Sequence, residues 1–311
     1  MILLLESLHP DAEALLEAAG SVVRAADPLQ PPENLTQVRA ILTRGRGLIA
    51  ADLLKRCPAL QVIARAGAGL DNLDTETARA QGLEVIFAPG LNTDTVAEHT
   101  IALMLDLSRG ITRSARAVSE NRWSERSGYT ATELYNQTLG ILGYGNIGRR
   151  VAAMARAFGM HVLVGEHRGG RTREDENTPR LPLEELLPAV DILSLHLPLT
   201  PATQGIIGPG EFELMRPGAL LINTARGALL DGASLRRSLQ TGQLGGFAAD
   251  VLEVEPPIPQ DPLLSSDRVV LTPHVASLTT GTYRELCLFT ARNVLCVLRG
   301  ETPEAKSVYL G

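Results

Sequence analysis

The chain has 311 residues, of which 44% are hydrophobic and 21% charged, and its formal net charge is −6. These values predict a globular protein long enough for two domains and exclude a disordered or fibrous chain. The acidic charge argues against a nucleic-acid partner. The three cysteines have no metal-ligand spacing, and the apolar start MILLL is too short for a signal peptide. No apolar run approaches the roughly 20 residues of a membrane span. We therefore predict a reduced, cytoplasmic protein outside the membrane.

Strand and helix patterns alternate through the first part of the chain. The predicted strands are MILLLES, AILTRG, LQVIARAG and LEVIFAP, and the predicted helices are DAEALLEAAG, AADLLKRCP and DTETARAQG. Such alternation predicts a parallel sheet with helices on its faces.

One long helical pattern follows, TDTVAEHTIALMLDLSRGITRSARAVSENRW, and predicts a helix that leads into a second region. The polar segment from Arg113 to Glu133, with its single tryptophan at Trp123, is expected to form an arm that packs on a partner subunit.

A second set of strands then begins at TLGILGYGNIG and continues through HVLVG, DILSLHL, ALLINTA, GFAADV and VVLTPH. A last helix, GTYRELCLFTARNVLCVLRG, closes the chain. Because long helices bracket this region, we predict an α/β domain at residues 95–275. Residues 1–94 and 276–311 form the other domain, with the ligand site expected in a cleft between the two.

Three glycines, Gly143, Gly145 and Gly148, form a G-x-G-x-x-G pattern between a predicted strand and a predicted helix. In a dinucleotide-binding turn, the first glycine permits the tight turn and the second lets the backbone approach a pyrophosphate. The third allows close packing of helix and strand. The alternative is an ordinary tight turn, but the strand and helix around it favour a dinucleotide.

The next strand ends at Glu166, where an acidic residue is expected to bind the ribose hydroxyls of the dinucleotide. An exposed loop carboxylate is the alternative. Arg168, Arg171 and Arg173 follow it and could bind the 2′-phosphate of NADP, whereas the carboxylate favours NAD. We therefore predict NAD and leave NADP open.

Arg226, Asp250, Glu255 and His274 all lie at or shortly after the ends of predicted strands, so the carboxyl edge of one sheet would bring them together. Together they suit hydride transfer between a nicotinamide and a carbonyl group. His274 would exchange the proton, Glu255 would orient its ring, and Arg226 would hold a carboxylate by two hydrogen bonds. Taken singly, each has an ordinary structural alternative as a capping, turn or solvated loop residue.

These motifs resemble those of the D-isomer-specific 2-hydroxyacid dehydrogenases, in the family's order and over nearly the whole chain. GYGNIG resembles the cofactor turn, NTARG the substrate-arginine segment, ADVLEVEPP the glutamate segment and TPHVAS the histidine segment. The resemblance implies two Rossmann-like or flavodoxin-like domains with parallel sheets, in which the cofactor domain is inserted into a split substrate domain. It also implies a homodimer built largely through the cofactor domains.

The resemblance further implies sets of site residues. The catalytic set is Arg226, Glu255 and His274. The cofactor set is Gly143, Gly145, Asn146, Ile147, Gly148, Glu166, His167, Arg168, Pro198, Thr224, Ala225, Arg226, Asp250, His274 and Ala276. The substrate set is Arg65, Gly67, Ala68, Gly69, Arg226 and His274, with Arg44 and Arg65 on the phosphate side or supporting the loop.

Within the family, ARAGAGLDNLD, VAEHTIALML and RAFGM are most similar to the 3-phosphoglycerate dehydrogenases. Two features depart from them: the strand before the ribose position ends in GEH, and the segment ENRWSERSGYTATEL is longer. The chain stops at Gly311, so no C-terminal regulatory domain is expected. Glyoxylate, hydroxypyruvate and a sulfonated lactate remain alternative substrates, with NADPH as an alternative cofactor.

Two rival functions are weaker. A non-enzymatic NAD-sensing protein on the same fold would need no proton donor, so the Arg–Glu–His set argues against it. A metal-dependent enzyme is disfavoured because the histidines His9, His99, His161, His167 and His196 show no ligand spacing.

Overall fold

Two sheets of parallel strands organise the fold in a computed structural model that describes residues 1–166 and 178–310. Each sheet belongs to one of two compact units, Met1–Asn92 with Ser277–Gly311 and Thr93–Ala276. We call these unit 1 and unit 2.

The helices and strands follow the chain in order. The first part of unit 1 contains β1 (Ile2–Leu4), α1 (Pro10–Ala19), β2 (Val22–Arg24), β3 (Ala40–Thr43), α2 (Ala51–Lys55), β4 (Val62–Arg65), α3 (Thr75–Ala80) and β5 (Glu84–Ile86). Unit 2 contains α4 (Thr93–Arg109), α5 (Ile111–Ser119), β6 (Thr138–Leu142), α6 (Asn146–Ala157), β7 (His161–Glu166), β8 (Arg180–Pro182), α7 (Leu183–Leu186), β9 (Ile192–Leu195), α8 (Pro209–Leu214), β10 (Ala219–Asn223), α9 (Gly232–Thr241), β11 (Leu244–Ala249) and β12 (Val269–Leu271). Unit 1 ends with α10 (Thr280–Arg299).

The strand order is β2-β1-β3-β4-β5 in unit 1 and β12-β11-β10-β9-β6-β7-β8 in unit 2. The predicted α/β class with two parallel sheets is therefore confirmed. In unit 2, β6 lies between β7 and β9, so the strand order reverses there. Ligands of open α/β sheets bind at the carboxyl ends of strands beside such a switch point.

The sequence patterns explain these strands. The central strands β9 and β3 are buried at every position because helices cover both faces of a parallel sheet. In unit 2, α4 packs against α6 and against β10, β11 and β12. The three-residue strands β2 and β8 are not predicted, since neither has a fully buried position and neither lies in a long apolar run.

The single long helix predicted after residue 93 is wrong, because the structure divides it into α4 and α5. Gly110 separates the two helices with a left-handed φ of 54°, a conformation that glycine adopts without a steric cost. The Asp106 carboxylate accepts the Thr112 N–H at 2.7 Å and so caps the start of α5. None of the helices in the described residues is long and apolar enough to cross a membrane.

Candidate active site

The residues predicted to bind the cofactor in unit 2 follow the carboxyl ends of its parallel strands. Because the strands are parallel, these ends lie along one edge of the sheet. The residues at that edge are the glycine turn after β6, Glu166 at the end of β7, Pro198 after β9, Thr224, Ala225 and Arg226 after β10, Asp250 after β11, and His274 and Ala276 after β12.

Two glycines of the turn are required by the packing of the chain itself. Gly143 has a φ of 103°, and a Cβ there would lie 2.6 Å from the carbonyl carbon of His196. A Cβ on Gly148 would lie 2.1 Å from the carbonyl oxygen of Gly143. Both positions therefore exclude a side chain whether or not a ligand is bound.

Gly145 differs from its two neighbours in the pattern. Its φ is −81°, and a Cβ there would meet no atom within 4 Å. Gly145 and Asn146 are exposed at the start of α6, where the first backbone N–H groups of a helix lack intrahelical partners. The space in front of Gly145 therefore fits an anionic group such as a pyrophosphate, so the turn fits a dinucleotide.

His274 and Glu255 are in direct contact. The His274 Nδ1 atom lies 2.8 Å from Glu255 Oε2, and the other carboxylate oxygen accepts the Leu252 N–H at 2.9 Å. The His274 side chain is 43% exposed, and within the described residues its Nε2 atom has no hydrogen-bond partner. The ring is thus held from one side and open on the other.

The Glu255 carboxyl experiences opposing influences on its pKa. Partial burial raises the pKa, but hydrogen bonds from His274 and the Leu252 N–H, together with the charges of His274 and Arg226, outweigh the burial. The net pKa lies below its ordinary value, so Glu255 is ionised at neutral pH.

Arg226 lies in a turn that a buried asparagine shapes. Asn223 is fully buried at the end of β10, where its side-chain amide donates to the Arg226 carbonyl at 2.9 Å and its side-chain oxygen accepts the Ala225 N–H at 3.0 Å. The neighbouring Thr224 hydroxyl lies 2.9 Å from the hydroxyl of Thr100 on α4. These bonds fix the backbone from which the guanidinium extends.

The turn after β12 is held by Asp250, which is only 1% exposed. Its carboxylate accepts the Thr272 hydroxyl at 2.5 Å, the Val275 N–H at 2.9 Å and the Ala276 N–H at 2.8 Å. Within this turn His274 adopts a left-handed φ of 57°, which is uncommon for a residue with a side chain.

Other predicted cofactor residues have mixed environments. Ile147 packs partly against the apolar core of unit 2, and Pro198 is exposed. Glu166 is exposed. His167 and Arg168, with Arg171 and Arg173, lie outside the described residues.

A second histidine near the turn, His196, is not available for proton transfer at neutral pH. Its Nε2 atom lies 2.9 Å from the Ser194 hydroxyl, and burial lowers the pKa of the imidazole to about 4. His196 is therefore neutral over the usual working range and cannot act as a proton donor there.

Unit 1 contains the predicted substrate loop at residues 65–69. Arg65 is 7% exposed, and its guanidinium donates to the Arg44 carbonyl at 2.8 Å and to Asp71 at 3.1 Å. This geometry supports the loop-supporting role for Arg65. The Gly67 N–H donates to the Arg65 carbonyl, whereas the N–H groups of Ala68 and Gly69 make no hydrogen bond within the described residues.

The neighbouring loop of unit 1 surrounds a carboxylate. One oxygen of Glu6 accepts the Thr43 hydroxyl and the backbone N–H groups of residues 44, 45, 46 and 47, at 2.7 to 3.0 Å. Consecutive N–H groups that point inward in this way form an anion-binding nest. Partial burial raises the pKa of Glu6, but the hydrogen bonds from this loop outweigh it and leave the pKa below its ordinary value.

Several residues at these sites are absent from the sequence predictions. Asn223 lies three residues before Arg226 and Thr272 two residues before His274, both inside recognised segments, and a polar residue at or just after a strand end is the local signal. Glu6 lies inside the predicted strand MILLLES and two residues past the end of β1, and nothing nearby in the sequence indicates that it binds a loop some forty residues away.

Comparison with known proteins tests the family resemblance of the sequence motifs. Residues 101–276 match the family described as D-isomer specific 2-hydroxyacid dehydrogenase, NAD binding domain. A D-3-phosphoglycerate dehydrogenase of Methanocaldococcus jannaschii is 36% identical over 97% of the chain. The chain belongs to the D-isomer-specific 2-hydroxyacid dehydrogenase family.

Two further relatives align with this chain over nearly the whole length of both proteins. The present chain spans 58% of the Methanocaldococcus relative's length. A glyoxylate reductase of Aeropyrum pernix is 37% identical over 95% of this chain and 92% of its own. The crystal structure of a D-lactate dehydrogenase from Aquifex aeolicus, complexed with NAD and lactic acid, is 30% identical. It covers 100% of this chain and 99% of its own, with a TM-score of 0.90.

The glycine turn of this family member provides a matched pair of variants. Gly145→Ala should leave the melting temperature unchanged, because its Cβ meets no protein atom, but should weaken NADH binding at least about tenfold by occupying the space of the pyrophosphate. Gly148→Ala should destabilise the protein by about 1–3 kcal/mol, because its Cβ overlaps the Gly143 carbonyl. Thermal melts and NADH fluorescence titrations measure both effects. Undiminished NADH affinity in Gly145→Ala would contradict the proposed placement of the cofactor.

Glu6→Gln should lower the stability of unit 1 by about 1–2 kcal/mol at neutral pH, the scale of hydrogen bonds to a partly exposed charge. Because the folded-state pKa of Glu6 lies below its ordinary value of 4.5, its stabilisation is present above that value and is lost as the pH falls through the folded pKa. The gap between wild type and variant should therefore stay constant from pH 7 down to about pH 4.5 and narrow as the pH falls further, as measured by urea unfolding. A gap that stayed constant with pH would show that the charge of Glu6 is not responsible.

Proposed function

We propose that this protein is an NAD-dependent oxidoreductase that interconverts a D-2-hydroxy acid and its 2-oxo acid. The observation that supports it most directly is the 2.8 Å contact between His274 and Glu255, at the sheet edge that also holds the glycine turn and Arg226. A histidine paired with an ionised carboxylate is a suitable proton donor and acceptor near neutral pH.

The bound nicotinamide would supply or accept the hydride at the carbonyl carbon of the substrate. His274 would then donate the proton from Nε2 to the carbonyl oxygen during reduction and recover it during oxidation. The Glu255 carboxylate accepts from Nδ1, so it keeps a proton on that nitrogen and turns Nε2 outward. Its negative charge also stabilises the imidazolium that must form when His274 takes up a proton.

Arg226 would bind the substrate carboxylate. Its planar guanidinium can donate two parallel hydrogen bonds to a carboxylate, and its charge can polarise the adjacent carbonyl group. In unit 1, the N–H groups of Ala68 and Gly69, which make no hydrogen bond within the described part of the chain, are proposed to donate to the substrate. Arg65 is proposed to support their loop.

The identity of the acid is open between two classes. The Methanocaldococcus relative is named for 3-phosphoglycerate and the Aeropyrum relative for glyoxylate, and the two are almost equally similar to this chain. We propose NAD as the cofactor because Glu166 is exposed at the end of β7, where a carboxylate favours the ribose hydroxyls and repels a 2′-phosphate.

The same proposal assigns roles to the two units. Unit 2 would bind the cofactor and unit 1 the substrate.

We also propose a homodimer that forms through the segment after α4, where Ile111, Val118 and Trp123 are 55%, 54% and 66% exposed. The cysteines Cys57, Cys287 and Cys296 are free, which supports a reducing, cytoplasmic setting.

The function is tested with purified protein and a panel of 2-oxo acids, including 3-phosphohydroxypyruvate, hydroxypyruvate and glyoxylate, each with NADH and NADPH. We expect reduction of at least one of them to the D-hydroxy acid with NADH. Protein that bound NADH but reduced none of the panel would favour the NAD-sensing alternative.

His274→Ala should lower kcat for the best substrate at least about a hundredfold, because the reaction loses its proton donor, and should leave NADH binding nearly intact. Stopped-flow kinetics and NADH titration measure the two quantities. His161→Ala is the matched control, since His161 is exposed at the opposite, amino end of β7. Normal turnover by His274→Ala would remove this residue from the mechanism.

Trp123→Glu together with Val118→Glu should convert the dimer to a monomer, because both substitutions put charge into the proposed apolar contact. Light scattering after size-exclusion chromatography measures the mass. Leu29→Glu, at an equally exposed leucine of unit 1, is the control for a general effect of surface charge. A wild-type monomer, or a dimer in the double variant, would contradict this interface.

A further inference from the structure

His99 is a partly buried histidine that the proposed mechanism does not use. It lies on α4, its side chain is 23% exposed, and its Nε2 atom lies 2.9 Å from the Thr272 hydroxyl and 3.6 Å from Asp250 Oδ1. It is thus joined, through Thr272, to the carboxylate that holds the turn of His274.

The direction of each hydrogen bond from His99 to Asp250 follows from the number of protons that each group can donate. An ionised carboxylate only accepts, so the single hydroxyl proton of Thr272 points to Asp250 Oδ1, 2.5 Å away. The Thr272 oxygen must then accept from His99, so the His99 proton lies on Nε2. The relay runs from His99 Nε2–H to the Thr272 hydroxyl and on to the Asp250 carboxylate.

The far end of the relay fixes the backbone of the proposed proton donor. Asp250 accepts the N–H groups of Val275 and Ala276, while its own carbonyl accepts the His274 N–H at 2.9 Å. These bonds hold His274 in its left-handed conformation. A Thr272 hydroxyl free to rotate would leave one oxygen of Asp250 without that donor and loosen the turn.

We propose that His99 is a positioning residue for His274, acting through Thr272 and Asp250. The inference rests on the proposed function, because His274 is the proton donor only in that reaction. In this role His99 acts through Thr272: it fixes the direction of the Thr272 hydroxyl and thereby the orientation of the His274 ring.

The kinetic test compares His99→Leu with His99→Gln. Leucine removes the Nε2 donor, whereas the glutamine side-chain amide can present an N–H at a similar distance. His99→Leu should lower kcat about tenfold to a hundredfold, the scale of a small misplacement of a catalytic group, with KM for the 2-oxo acid and the melting temperature nearly unchanged. His99→Gln should recover most of kcat. Full kcat in His99→Leu, or no recovery in His99→Gln, would overturn the proposal.

A double-mutant cycle tests the path. If His99 acts only through Thr272, then His99→Leu should have no further effect on kcat in a Thr272→Val background. Losses that multiplied independently would show that His99 acts by another route.

A measurement on the resting protein separates this inference from the proposed function. Nitrogen-15 NMR of labelled histidine rings reports which ring nitrogen of His99 carries the proton, and whether the His274 ring resonances move in His99→Leu but not in His99→Gln. A proton on Nε2 and a selective shift of His274 support the relay even if no 2-oxo acid is reduced. A neutral His99 protonated only at Nδ1 would overturn it.

Discussion

The turn that carries His274 depends on one buried carboxylate. Asp250 accepts a hydroxyl and two backbone N–H groups from residues 272–276, and these bonds stabilise a left-handed conformation at His274 that costs of order 1–3 kcal/mol. Because Asp250 follows β11 and the turn follows the adjacent β12, the sheet itself determines the distance between the two. The ring of His274 is therefore placed by the core of unit 2 and not by a mobile loop.

The order of strands has a similar effect on the other proposed catalytic groups. β10, β11 and β12 are adjacent, so Arg226, the segment that leads to Glu255 and His274 leave three neighbouring strands. The glycine turn follows β6, two strands away from β10 across β9. Residues spread over more than a hundred positions in the chain thus lie along one edge, as the topology of a parallel sheet requires.

Much of this arrangement could be predicted from sequence, because periodic apolar patterns and glycine turns are local signals. The parallel sheets, the glycine turn at its strand end and the positions of Arg226 and His274 after strands of one sheet all follow from such patterns. The break at Gly110 could not be predicted as readily, since the apolar spacing of α4 and α5 continues across it. The roles of Asn223, Thr272 and Glu6 depend on side-chain bonds to backbone groups that only the folded chain brings within reach. Arg65 shows the same limit: the sequence allows a ligand contact or a supporting role, and the burial and the bond to Asp71 that favour the supporting role are visible only in the folded chain.

The internal carboxylate at the loop of residues 44–47 has a further consequence. Four consecutive backbone N–H groups that would otherwise attract an inorganic anion already donate to Glu6, so phosphate or sulfate from the medium finds none of these four groups free. The loop is ordered when unit 1 folds, so a ligand that binds beside it does not lose binding free energy to the ordering of that backbone.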